Sequence, residues 1–159
     1  MYYIDGNNLA GVIPELEVGT PQAEAAVIRL IQLWAKTSGK KVTLAFDGHR
    51  TAERQASGVR LVYPGAQDSN ADDVLRRLIS KDTQRTNSTL VSNDGELVRL
   101  ARSHGVRHVY AREFARLLKE TEQQVTNEQS ERKPAAPTDA EVTEWMKYFG
   151  FRPDGNRRK

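Results

Sequence analysis

The sequence predicts one α/β domain built on a mostly parallel sheet, followed by a short C-terminal extension. Three observations carry that prediction. Short β-rich runs alternate with amphipathic helical stretches up to about residue 124. Three of those runs end in an aspartate, Asp5, Asp47 and Asp94. Around Val125 the composition turns polar and the alternation stops.

Taken in order, Tyr2-Tyr3-Ile4 is the first strand and runs into Asp5. A helix is expected from about Pro21 to Ser38, with Val27, Leu30, Ile31 and Trp34 at helical spacing. Thr20 suits its N-cap, Pro21 its first position and Gly39 its stop. Val42 to Phe46 is the second strand, ending at Asp47-Gly48, and Val59 to Tyr63 is the third, running into Pro64-Gly65. Asp68-Ser69-Asn70 opens a helix whose apolar face is Ala71, Val74, Leu75, Leu78 and Ile79. Thr89-Leu90-Val91 is the fourth strand, ending at Ser92-Asn93-Asp94, and Glu96 to His104 is the helix after it. Val106 to Tyr110 is the last strand, and Ala111 to Gln124 a final amphipathic helix. The chain thus divides into a domain over 1–125, a polar linker over 126–138 carrying Pro134 and Pro137, and a segment over 139–159. That last segment combines a short helix bearing Trp145, Met146 and Phe149 with a basic end, Arg152, Arg157, Arg158 and Lys159.

Composition narrows the function classes. In 159 residues, 38% hydrophobic content is enough to bury a core, and no apolar run approaches the ~18 residues of a membrane span. The absence of cysteine excludes disulfides, Cys-ligated zinc and a thiol nucleophile. The start lacks the pattern of a secretory signal, so a cytoplasmic location and no membrane partner are expected. A net charge of +3 and a pI near 9.3 point weakly to a polyanionic partner.

The acids point further. Parallel strands present their carboxyl ends at one rim, where ligands of open α/β sheets bind. Asp5, Asp47 and Asp94 end strands, and Asp72, beside Asp73, lies in the first turn of the helix after the third strand. Converging carboxylates repel one another and resist desolvation unless a cation lies between them. Hard oxygen donors suit Mg2+ or Mn2+, which can activate a water for in-line attack on a phosphodiester. Each acid also has a local structural explanation. Asp-Gly is a turn dipeptide, an acid in a first helical turn complements the helix dipole, and Asp94 is placed to cap the following helix.

Tyr3-Ile4-Asp5-Gly6-Asn7-Asn8 resembles the hydrophobic-Asp-Gly-x-Asn opening of NYN domains, a branch of the PIN-like nucleases, and in particular their bacterial YacP-like members. The blocks Leu44-Ala45-Phe46-Asp47-Gly48, Asn70-Ala71-Asp72-Asp73 and Leu90-Val91-Ser92-Asn93-Asp94 extend the resemblance over about residues 1–120. It implies a three-layer α/β/α PIN-like fold with a five-stranded sheet of order 3-2-1-4-5, and RNA cleavage dependent on Mg2+ or Mn2+. By that resemblance Asp5, Asp72 and Asp94 are the catalytic acids, and Asp47 is an acid at the same rim; all four are expected metal residues, Asp47 through an outer-shell water or a second ion. Asn8 is the motif asparagine, expected to orient a water or touch the scissile phosphate. Ser92 stands where a small hydroxyl is common, and Asn93 where a serine or other small residue is expected.

RNA contacts are expected from Asn8, Ser92 and the loop residues His49, Arg50 and Arg54. Arg76, Arg77, Lys81 and Arg85 offer either further contacts or a solvated helix face. The resulting expectation is a metal-dependent endoribonuclease of RNA processing or decay, with a ribosome or other ribonucleoprotein as a candidate partner. The alternatives are a non-catalytic RNA-binding adaptor of the same fold and a structure-specific DNA nuclease.

Overall fold

A computed structural model describes residues 1–48, 54–132 and 138–148, and for residues 56 and 145–148 the backbone alone. Among the described residues, six strands form one sheet: β1 (Tyr2–Asp5), β2 (Val42–Ala45), β3 (Arg54–Ala56), β4 (Val59–Val62), β5 (Thr89–Val91) and β6 (Arg107–Val109). Their spatial order is β3-β4-β2-β1-β5-β6. The five expected strands stand in the expected order, all parallel. The sheet has six strands rather than five because β3 adds an antiparallel edge to β4. The reversal between them is made by Ser57 and Gly58, both at positive φ (48° and 82°), as a tight hairpin turn requires.

The inner strands are buried on both faces, and side-chain alternation sorts them into two cores. Ile4, Leu44, Leu61 and Val91 face one layer, with Val27, Ile31 and Trp34 of α2 (Pro21–Ser38) and Phe114 and Leu118 of α5 (Ala111–Arg132). Tyr3, Ala45, Val62 and Leu90 face the other. There they meet Val74, Leu75 and Ile79 of α3 (Ala71–Lys81) and Leu97 and Ala101 of α4 (Gly95–Ser103). Trp34 stands edge-on to both Tyr2 and Phe114, at centroid distances of 4.8 and 4.9 Å, which ties α2 to α5 over the sheet.

The structure adds a helix that the periodicity does not reveal, α1 (Gly6–Gly11), only six residues long. It starts where β1 ends. A Cβ on Gly6 would lie 2.3 Å from Cε1 of the buried Phe46, so only glycine lets the β1–α1 corner seat against the end of β2. α2 begins and ends as expected, with Thr20 Oγ1 accepting from Ala23 N and Gly39 at φ 68°.

At the other end of the domain α5 continues through 126–132, a stretch read from sequence as linker. Its Glu, Gln and Arg residues are good helix formers, and Glu128–Arg132 is a favourable four-residue spacing. By contact density the chain divides into Met1–Gln124 and Val125–Lys159, and the second unit contains α6 (Asp139–Tyr148). The expected Trp145, Met146 and Phe149 cluster and the basic end lie outside the described side chains. No helix among the described residues is long and apolar enough to cross a membrane.

Candidate active site

Three helices, α1, α3 and α4, begin at the carboxyl rim of the sheet, and their first turns hold the acids in place. Asp5 ends β1 and is the N-cap of α1, its Oδ1 accepting Asn8 N at 3.0 Å. Asp94 is the N-cap of α4, and its Oδ1 accepts both Glu96 N (2.9 Å) and Leu97 N (2.8 Å). Asn70 caps α3, which places Asp72 in that helix's first turn. Asp5 and Asp94 thus serve as helix caps, and in each the cap holds the Oδ1 oxygen.

Their electrostatics show how closely they converge. Asp5 is 2% exposed, and its pKa is raised to about 6. Burial is the main cause, opposed by the Asn8 N–H and reinforced by the charges of Asp72 and Asp47. Asp72 is also pushed up, by burial and by the charge of Asp94, while a hydrogen bond from Asp5 pulls it down. The carboxyls of Asp5 and Asp72 thus act on one another, and like charges so placed favour a proton or a cation between them.

Asp47 has a different job. Its Oδ1 accepts Ala71 N at 2.7 Å, the first residue of α3, and its Oδ2 accepts Asn7 Nδ2 at 2.5 Å. It braces α3 against α1 and so sets the position of Asp72. Asp73 belongs to the cap, with its N–H donated to Asn70 and its Oδ2 accepting Ser69 N. Of the two adjacent acids, Asp72 is the one at the rim.

A line of amides joins the strand ends. Asn8 Nδ2 donates to Asp5 Oδ2 (2.7 Å), and Asn8 Oδ1 accepts Asn93 N (2.9 Å). Asn93 Oδ1 in turn accepts Ala111 N (3.0 Å) at the start of α5. Asn8 therefore orients the buried carboxyl of Asp5, and Asn93, where a small residue was expected, couples β5 to α5. Asn7 and Asn93 were absent from the sequence-based site because their partners lie 40 and 18 residues away.

The matching family model spans residues 2–147 and describes the YacP-like NYN domain. The chain belongs to that family. NYN domains are a branch of the PIN-like nuclease superfamily. Two solved structures agree with this fold, both of Rae1 (YacP) from Bacillus subtilis. One superposes with a TM-score of 0.69 at 20% identity, covering 94% of this chain and 92% of that one. The other, a mutant, gives 0.69 at 18% identity, covering 87% and 86%. No curated protein sequence matches the chain.

Not every expected contact of this NYN domain lies on its rim. Ser92 is fully buried; its hydroxyl accepts Asp94 N and its carbonyl meets His108 Nε2, so it shapes the loop and presents nothing to a substrate. Arg77 forms a two-point pair with Asp68 (3.1 and 2.8 Å), and Arg76 pairs with Glu96. Both are held by acids of the protein itself. His104 lies against Leu100 O and Ser103, as a structural histidine would. Arg54 is exposed at the start of β3, and His49 and Arg50 lie outside the described residues. Beside Asp47, a cleft of about 460 Å3 opens between Asp47-Gly48 and the Pro64–Asn70 loop.

Among the described residues, no three His, Cys, Asp or Glu side chains stand ready-made around an ion position. The donor chemistry nevertheless suits a hard divalent cation. The oxygens belong to carboxylates, Asp94 Oδ2 accepts no hydrogen bond among the described residues, and Mg2+ keeps most of its waters while using one or two protein carboxylates.

Proposed function

We propose that this NYN domain is a metal-dependent endoribonuclease that hydrolyses RNA phosphodiester bonds with an activated water. The observation that carries the reading is the buried Asp5 carboxyl, raised further by Asp72 and Asp47, with the charge of Asp94 acting on Asp72. Such a cluster is costly in an otherwise satisfied fold, and perturbed acids concentrate at functional sites. Mg2+ or Mn2+ held there by Asp5, Asp72 and Asp94 would neutralise the cluster and supply an activated water and charge stabilisation at phosphorus.

The chain's own residues do the rest. Asn8 fixes the Asp5 carboxyl through two donors, from its backbone and from its amide. Asp47 holds α3, and with it Asp72, and faces a cleft large enough for a phosphate and its waters. Arg54, with His49 and Arg50, follows Asp47 in sequence and supplies positive charge for the scissile strand. A cytoplasmic role in RNA processing or decay, on free RNA or a ribonucleoprotein, fits this chemistry.

The test is incubation of RNA and DNA substrates with Mg2+, Mn2+ or EDTA, using the wild-type chain and the Asp5→Asn and Asp94→Asn variants. The expected outcome is metal-dependent RNA cleavage with 5′-phosphate and 3′-hydroxyl ends, lost in both variants. Ends carrying 2′,3′-cyclic phosphate would overturn the water mechanism. RNA binding without cleavage under every metal condition would make the domain an adaptor, and preferential cutting of branched DNA would make it a DNA nuclease.

A further inference from the structure

Both helical layers carry exposed cations. On the α3/α4 side, Arg76 and Arg77 are each held by an acid, while Lys81 at the end of α3 and Arg99 and Arg102 on α4 are exposed. On the α2/α5 side, Arg29, Lys36, Lys40, Lys41, Arg112 and Arg116 are exposed, and their side chains make no ion pair or hydrogen bond among the described residues. Two clefts connect them. One, of about 460 Å3, lies between the 12–16 loop, α2 and α5, with Arg112 and Arg116 on its wall. The other, of about 640 Å3, lies between the end of α2 and the Ser57-Gly58 turn, with Lys36, Lys40 and Lys41 around it and no acid among the described residues of its lining. Arg29 lines both.

We propose that these cations form a track that carries the phosphate backbone of the RNA substrate from the acidic rim to the opposite end of the sheet. The identity of the strand rests on the endoribonuclease reading. The track itself rests on placement and charge. Its upper end adjoins the site: Arg112 follows Ala111, whose N–H is held by Asn93, and the 12–16 loop follows α1. From there α2, with 18 residues, descends for about 27 Å, long enough to follow several nucleotides. Arg112 and Arg116 are four residues apart on α5 and so share a face. The acids of the upper cleft do not outnumber them: Glu15 pairs with Lys119, and Glu122 is one acid in a cleft lined also by Arg29, Arg112 and Arg116. A linear array of unpaired cations starting at a candidate phosphodiester site matches a polyphosphate chain, whose backbone contacts dominate affinity.

The experiment uses the full chain carrying Asp94→Asn as parent, and measures anisotropy of labelled single-stranded RNAs of increasing length across a salt series. Two variants are compared with it, Lys36→Gln/Lys40→Gln/Lys41→Gln and Arg112→Gln/Arg116→Gln, with thermal unfolding as the check on folding. The parent's affinity is expected to rise with RNA length. The triple variant should weaken long-RNA binding about ten-fold or more and lower the salt slope by about 2, for three phosphates at about 0.7 each. The double variant should weaken shorter RNAs as well. Folded variants that bind every length with the parent's salt slope would overturn the track, as would an acidic peptide that displaces RNA from the parent at equal charge. If the wild-type chain cleaves no RNA but these length and salt effects hold, the endoribonuclease reading falls and the track stands. If it cleaves RNA and the variants bind like the parent, the reverse is true.

Discussion

The two ends of the central sheet each hold a carboxylate, buried at the rim and half-buried at the far end, with opposite results. At the far end, burial opposes ionisation of Asp82, but hydrogen bonds from Ser88, Gln84 N and Tyr3 and the N-terminal ammonium outweigh it and hold its pKa low. At the rim, Asp5 receives the donors of Asn8 but looks into Asp72 and Asp47, and its pKa rises to about 6. One carboxylate is surrounded by donors and the other by acids. The first arrangement stabilises a fold; the second is costly unless a proton or a cation offsets the charge.

The largest expected difference between the ends is in activity. Asp5→Asn or Asp94→Asn should lower metal-dependent RNA cleavage by about a hundred-fold or more, since altering only the outer partners of a metal site already costs 10–100-fold. Asparagine still caps a helix, so the folds should survive. Asp82→Ala should do the opposite. It leaves Tyr3 OH, Ser88 OH and Gln84 N without their acceptor, costing about 1–3 kcal/mol of stability by denaturant unfolding, with cleavage intact at a temperature where the protein is folded. Activity loss in Asp82→Ala beyond its unfolded fraction would erase the distinction.

Gly6→Ala should cost stability at the rim through packing alone. Its Cβ would fall 2.3 Å from the ring of Phe46, and the ring or the β1–α1 corner must move. Overpacking of this kind costs about 1–3 kcal/mol, and the displaced corner carries Asn7 and Asn8, so cleavage should fall as well. A variant with wild-type midpoint and activity would show that the corner adapts freely.

The pH dependence of stability should also separate the ends. The folded pKa of Asp5 lies above its ordinary 3.8, so its proton is held in the folded state and lost from the unfolded one. Its stabilising contribution is full below about 4 and disappears as pH rises through about 6. The lowered pKa of Asp82 works the other way, contributing above the ordinary 3.8 and lost on acidification below it. In metal-free buffer the unfolding free energy should therefore fall between about pH 4 and pH 7, with up to about 3 kcal/mol from Asp5 and a further fall of the same sign from Asp72. Asp5→Asn should remove the Asp5 share of that fall, and Mn2+ should reverse it near neutrality. A fall undiminished in Asp5→Asn would locate the titration elsewhere.

How much of this the sequence discloses depends on the range of the interaction. Strands and long helices are periodic over their own residues, so β1, β2, α2, α3 and their order along the chain are legible, as are the acids at strand ends. α1 is too short to show a period, and β3, Arg54-Gln55-Ala56, has no β-branched residue to announce it. The roles of Asn7, Asn93 and Ser92 depend on partners reached only through the fold. So does the pairing of arginines. Nothing local distinguishes Arg77, held by Asp68, from Arg112, which is left unpaired among the described residues.

The smallest expected effect bears on Asp47, the acid that faces both ways. As a brace it needs one acceptor for Ala71 N and one partner for Asn7 Nδ2. Asp47→Asn can meet both needs: its Oδ1 accepts Ala71 N while its amide donates to Asn7 Oδ1, once the Asn7 amide turns over. That variant should lose only a few-fold in cleavage and about 1 kcal/mol or less in stability. Asp47→Ala can meet neither, and it strands the N–H of Ala71, which is 2% exposed; about 1–3 kcal/mol and a larger loss of activity should follow, because the first turn of α3 carries Asp72. Rescue by asparagine therefore identifies a positioning residue. If instead Asp47→Asn is as inactive as Asp47→Ala, and Mn2+ protects neither variant against thermal unfolding, the charge of Asp47 is what matters and it joins Asp5, Asp72 and Asp94 as a ligand.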